Sequence, residues 1–98
     1  MNVHILDGAY RHLLDGARFY ERQSSGLGYH FRSSLLDDIE RLHITGGTHE
    51  VVYDGLHRAI SRLFPFCIYY RLDKGEIWVL SVLDSRRDPE WIRKQLGY

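Results

Sequence analysis

The chain has 98 residues, 44% of them apolar and 13% aromatic, enough for one compact domain with a modest core and too few for two. Thirteen basic residues balance thirteen acidic ones, so no overall field holds the chain on a polyanion, and no run of about 18 apolar residues is present to span a membrane. The single Cys67 excludes an internal disulfide, and the opening Met1-Asn2-Val3-His4 lacks a charged-then-apolar leader pattern, so a soluble, cytoplasmic protein is expected.

Val3, Ile5 and Leu6 form a short apolar run that stops at Asp7-Gly8 and reads as a first strand. Asp7 is placed to cap a helix in which Tyr10, Leu13, Leu14, Ala17 and Tyr20 recur three and four apart, the spacing of one helical face. Ser24-Ser25-Gly26-Leu27-Gly28 supplies turn residues. A second helix follows, with Leu27, Phe31, Leu35, Ile39 and Leu42 in its apolar stripe and Asp37, Asp38, Glu40 and Arg41 outside it. So short a link makes the two helices antiparallel neighbours.

Thr45-Gly46-Gly47-Thr48 closes that hairpin, and the pattern changes. Val51-Val52-Tyr53 reads as a strand, Asp54-Gly55 as a turn, and Leu56 to Leu63 as a further strand ahead of Phe64-Pro65. Pro65 has no amide to donate and belongs at a strand start or an edge. Two nearly continuous apolar strands then run through residues 66–71 and 77–84, joined at Asp73-Lys74-Gly75, which implies cover over much of both faces. Asp88 as cap and Pro89 at the first helical position begin a last short helix, with Trp91, Ile92, Gln95 and Leu96 on its apolar edge. The expected fold is α+β: an N-terminal strand, an antiparallel helical hairpin packed on a three- to four-stranded antiparallel sheet, and a short C-terminal helix, all in one domain over residues 1–98.

Charge is unevenly placed. Residues 1–50 carry five arginines against seven acids, and residues 51–98 carry six arginines and two lysines against six acids, so the basic excess lies with the strands. Six histidines occur, but none pairs with another at i, i+4 beside an acid and no cysteine cluster supports them, so no metal or cofactor site is expected. Neither a G-x-S-x-G elbow nor a phosphate-binding glycine loop is present.

Three stretches resemble one family: Phe19-Tyr20 with Gly26-Leu27-Gly28 and Phe31; Arg62-Leu63-Phe64-Pro65-Phe66 with Ile68-Tyr69-Tyr70; and Ile77, Val79 and Val82 leading into residues 83–89. In that order they resemble the RelE/ParE superfamily of toxins from bacterial type II toxin-antitoxin (plasmid stabilisation) systems, over residues 3 to 96. The resemblance implies a small cytoplasmic growth-inhibiting toxin held inactive by a cognate antitoxin. It also implies one of two modes of action: cleavage of mRNA on the ribosome, or ParE-like poisoning of DNA gyrase without hydrolysis. A homodimer and a hetero-oligomer with the antitoxin are both compatible with it, as is an interaction module that has lost its toxicity.

The candidate catalytic residues are Arg87, Arg86, Asp84 and Arg58. RNA cleavage needs a base for the 2′-hydroxyl proton, cations for the phosphorane and an acid for the leaving oxygen. Arg86 and Arg87 offer charge. At the position of Asp84 the family often carries His or Lys, and a carboxylate there repels phosphate and acts as a base only with a raised pKa; this departure favours the non-hydrolytic mode. His57, Arg62, Tyr69 and Arg71 are the candidate target- or antitoxin-binding residues. His57 and Arg58 alternate, so at most one shares the sheet face left open by the helices. Period two puts Phe66, Ile68, Tyr70 and Leu72 toward the helices and Cys67, Tyr69 and Arg71 on the open face, where Tyr69 and Arg71 are positioned to stack on a base or meet an antitoxin. A partner segment is expected to cover that face, including Leu80 and Val82 if they lie on it.

Overall fold

The computed structural model describes residues 1–98 and runs β1 (Val3–Ile5), α1 (Asp7–Gln23), α2 (Leu27–Thr45), β2 (Glu50–Tyr53), β3 (Leu56–Ile60), β4 (Phe66–Asp73), β5 (Glu76–Asp84) and α3 (Pro89–Gln95). The strands form one sheet in the order β1-β5-β4-β3-β2, antiparallel except for β1, which lies parallel to β5 with Val3 opposite Ile77 and Ile5 opposite Val79. The α+β class is as expected. The sheet has five strands rather than three or four because both short segments pair, β1 along β5 and β2 along β3.

Helix α1 begins without the expected cap. Leu6 is the capping residue and offers no side-chain hydrogen bond, while Asp7 sits inside the first turn, where a carboxylate favours the positive end of the helix dipole. The buried face is Ala9, Leu13, Gly16 and Tyr20; Tyr10 and Leu14 are 51% and 45% exposed. Gly16 explains this setting of the helix, since a Cβ there would meet the Phe31 ring at 2.6 Å. Gly28 does the same for α2, with a Cβ meeting the Ala17 carbonyl oxygen at 2.5 Å. Helix α2 buries Phe31, Leu35, Ile39 and Leu42 as its periodicity demands.

Strand β3 ends at Ile60, not at Leu63. The buried Asp38 carboxylate on α2 accepts hydrogen bonds from Ser61 Oγ at 2.8 Å and from Arg62 Nε at 2.7 Å, pulling the chain out of the ladder. The following turn carries Phe64 onto Tyr20 and Phe31, and Pro65 immediately precedes β4. The β4–β5 hairpin turns at Lys74 and Gly75, both with positive φ (52° and 76°), the two-residue turn whose twist matches that of the strands.

The β4–β5 register shifts between Tyr69 and Tyr70: Tyr70 opposes Val79 while Tyr69 opposes Ser81, leaving Leu80 as the extra residue of a bulge. This changes the phase of alternation, so Ile77, Val79 and Val82 all enter the core under the helices. Val82 therefore faces the helical hairpin, and only Leu80 joins the opposite side.

That opposite side is not open. Trp91, Ile92 and Leu96 of α3 pack on Leu56, Cys67, Tyr69 and Leu83, and Tyr69 is only 3% exposed. The chain thus covers with its own last helix the face on which a partner was expected, because the apolar edge of α3 has no other surface to bury.

Candidate functional site

The charged corner at the end of β5 is built from four charged residues within five positions, Asp84, Arg86, Arg87 and Asp88, that do different things. Asp84 accepts hydrogen bonds from Arg86 at three atoms: the backbone N at 2.8 Å, Nε at 3.1 Å and Nη2 at 2.8 Å. These hydrogen bonds from Arg86 hold the Asp84 carboxyl below the ordinary aspartate value, so it stays ionised and is a poor proton acceptor. Arg87 turns the other way. Its guanidinium carbon lies 3.8 Å from the centre of the Trp91 ring, four residues further on, and it takes part in no ion pair. Asp88 caps α3 by accepting from Glu90 N at 3.4 Å.

Two grooves flank α3, and Arg87 lines both. The larger, about 490 Å³, runs between α1, the end of β5 and α3; Arg11, His12, Asp15, Asp84, Arg87 and Trp91 give it its chemistry. Its rim carries both signs of charge. The smaller, about 350 Å³, lies between β2, β3 and the start of α3, and brings Arg58, Tyr69 and Arg87 together beside Glu50. There Glu50 accepts from Arg58 Nη2 at 2.7 Å, and burial pushes the Tyr69 phenol pKa up, which keeps it neutral. With little of its ring exposed, Tyr69 offers no surface on which to stack a base.

The remaining expected residues stand apart. His57 stacks on the core residue Tyr70 (ring centres 4.9 Å apart, planes 10° apart) and pairs its Nδ1 with the His49 carbonyl at 2.9 Å, so it faces the helices and not the grooves. Arg62 is held by Asp38. Arg71 donates to the Asp54 carbonyl and to the Tyr98 hydroxyl, both at 2.5 Å, at the far end of α3. Arg58 and Arg87 therefore share a groove, Asp84 and Arg87 share the other, and His57, Arg62 and Arg71 serve three separate structural contacts.

His12 was absent from the expected set. Its Nδ1 accepts a hydrogen bond from Val82 N at 3.2 Å, where β5 has run past the end of β1. That fixes the hydrogen on Nε2, and burial lowers the pKa, so a neutral imidazole lines the groove. Arg87 lies ahead of the Asp88 cap, outside α3, and His12 meets β5 across 70 residues, so no local pattern announces either contact.

No protein-family model matches the chain, and no curated protein matches it by sequence. Its fold does match a solved chain of the "Chromosomal ParDE TA system from P. aeruginosa", with a TM-score of 0.74 at 15% identity, over 84% of this chain and 92% of the other. The chain therefore shares the fold of a chain in a toxin-antitoxin system. No helix is long and apolar enough to cross a membrane.

Proposed function

We propose that this protein is the toxin of a type II toxin-antitoxin pair, acting in the ParE-like manner on a macromolecular target such as DNA gyrase and neutralised by a cognate antitoxin that lodges in the grooves beside α3. The observation that carries this reading is the state of the charged corner. Asp84 is ionised and clamped by Arg86, and Arg58 is occupied by Glu50, so three of the four residues named for RNA cleavage are already engaged, while Tyr69, named to stack on a base, is buried. Of the candidate catalytic residues only Arg87 stays available, on an aromatic platform between two grooves with mixed charge. That equipment suits recognition of a protein surface better than cleavage of a phosphodiester.

A second reading, ribosome-dependent mRNA cleavage, draws on one observation: Arg58 and Arg87 line the same groove. Controlled expression separates the two. Growth arrest with filamentation and a DNA-damage response, while a translation reaction stays unaffected, is the expected result. Codon-specific mRNA cuts that disappear in Arg87→Ala would replace it with the nuclease reading. Harmless expression, with no small antitoxin-like reading frame beside the gene, would leave a non-toxic interaction module.

A further inference from the structure

The link between α2 and β2, residues 46–49, is tied to the sheet by two side chains, Tyr70 and His57. Its own backbone closes only local turns, with Gly46 N donating to the Leu42 carbonyl at 2.8 Å and Thr48 N to the Thr45 carbonyl at 3.1 Å. Toward the sheet, the Tyr70 hydroxyl meets Gly47 N at 2.9 Å and His49 Nδ1 at 2.6 Å, and the His49 carbonyl accepts from His57 Nδ1 at 2.9 Å. The link lies directly on the core, since a Cβ at Gly46 would meet Ile77 Cδ1 at 2.0 Å. Strand β2 starts immediately after it. That strand is the sheet edge, bonded to β3 alone, and Glu50, Val51, Val52 and Tyr53 wall the smaller groove.

The hydrogens in this cluster follow from what each atom can do. Gly47 N–H can only donate, so the Tyr70 oxygen accepts from it. Tyr70 is fully buried, and burial pushes its phenol pKa up, so the hydroxyl keeps its hydrogen. That hydrogen goes to His49 Nδ1, which is therefore bare, with the ring hydrogen on Nε2. His57 donates from Nδ1 to a carbonyl, which it does equally well neutral or charged. One added proton thus has a structural consequence. A hydrogen on His49 Nδ1 leaves the buried Tyr70 hydroxyl with no acceptor.

We infer that Tyr70 and His49 form a latch that acid opens, releasing the link and the start of β2 from the sheet. The charged and titratable groups around His49 come from every neighbouring element. Asp38 and Arg41 of α2 and Arg62 after β3 line a small cavity of about 120 Å³ with it; His57 approaches from β3 and Tyr70 from β4. Asp38 is matched by Arg62, and Glu50, next in the chain, by Arg58. Arg41 and a protonated His57 therefore leave the surroundings positive, which opposes a charge on His49. Burial first, and His57 second, hold the His49 pKa below its ordinary 6.5, so the latch is closed at neutral pH and opens on the acid side. Opening loosens one wall of the smaller groove. The latch operates whether or not that groove receives an antitoxin.

Amide hydrogen exchange of the full chain, followed by NMR from about pH 7.5 to about pH 5 and corrected for intrinsic rates, tests it. The protection of Gly47 and of the β2 amides bonded to β3 should fall at least about tenfold relative to the α2 amides of Phe31 and Leu35, which report the core. Ring nitrogen shifts at neutral pH should show hydrogen on His49 Nε2 and on His57 Nδ1. His49→Asn places Oδ1 where Nδ1 stood, accepts from Tyr70 at every pH and does not titrate, so it should keep the protection and lose its pH step. Tyr70→Phe keeps the core ring and should leave Gly47 unprotected at every pH. The wild-type titration reads the latch even if a variant folds poorly. Protection of Gly47 or β2 that is indifferent to pH, a neutral His49 with hydrogen on Nδ1, a pH step that survives His49→Asn, or a Gly47 still protected in Tyr70→Phe would overturn the proposal.

Discussion

On the hairpin side of the sheet, fourteen buried residues from two helices and three strands interlock around Phe31, Tyr20 and Phe66 with the partly buried Phe64 against them, the rings 4.8–5.2 Å apart for the pairs Phe31 makes. On the α3 side four buried residues lie under a seven-residue helix that has none of its own fully buried. The same two strands, β4 and β5, supply both faces. What differs is how many independent elements bury their apolar stripe against each, and that number decides which side sets the fold and which retains grooves. A helix held by three half-buried side chains leaves space along both flanks, and Arg87 lies in that space.

The comparison is broken most directly by removing one side chain from each face. Phe31→Ala should cost about 3–5 kcal/mol, the range for a fully buried aromatic in a packed core, read as a lower urea midpoint with an unchanged slope. Trp91→Ala, from the thin face, should cost about 1–2 kcal/mol, since the ring is half buried and its partner Arg87 is exposed. Equal losses for the two would mean that the faces are equivalent in energy and that α3 is part of the core.

Between those limits lies the seam between α2 and the end of β3. Asp38 is 8% exposed and accepts from Ser61 Oγ, Arg62 N and Arg62 Nε. Asp38→Ala leaves those donors unpaired and should cost about 2–3 kcal/mol, with Asp38→Asn recovering part of it because the amide oxygen still accepts. Urea unfolding of the two variants measures the difference. A loss as small as that of an exposed ion pair would place the Asp38 cluster with the thin face rather than with the core.

How much of this was legible in the chain follows from the range of the interactions concerned. The α2 stripe, the Asp88-Pro89 helix start and the Lys74-Gly75 turn are local rules, and the residues carry them openly. The edge pairing of β1 joins residues 74 apart, and nothing in Val3-His4-Ile5 names Ile77 as its neighbour. The Leu80 bulge was half visible, since Ile77, Val79 and Val82 break strict alternation, yet period two alone groups Val82 with Leu80 and leaves open which of them lies away from the helices. Tyr69 failed for another reason: alternation placed it correctly away from the hairpin, but the cover that buries it comes from Trp91, Ile92 and Leu96, whose docking no spacing encodes. The corner at Asp84-Ser85-Arg86-Arg87 drew attention as a cluster of charge; that Arg86 clamps the carboxylate while Arg87 goes to Trp91 is a matter of side-chain direction.

The smallest effect concerns His12, which joins the dense face to the larger groove. Its Nδ1 accepts from Val82 N, and burial lowers its pKa, with Arg11 adding to the shift and Asp15 opposing it. His49, also lowered by burial and facing His57, acts in the same direction. The sign follows from proton binding. A histidine whose folded pKa lies below the ordinary 6.5 takes up its proton more readily in the unfolded chain. Its contribution is therefore fully present above that value and is lost as pH falls through the folded-state pKa. Melting temperature should accordingly decline as pH drops below 6.5, and His12→Asn, whose Oδ1 stands where Nδ1 did and still accepts from Val82 N, should flatten the part of the decline that His12 causes while leaving that of His49. A variant that melts with an unaltered pH profile would show that His12 titrates alike in both states, and that the groove it lines is wetter than its burial implies.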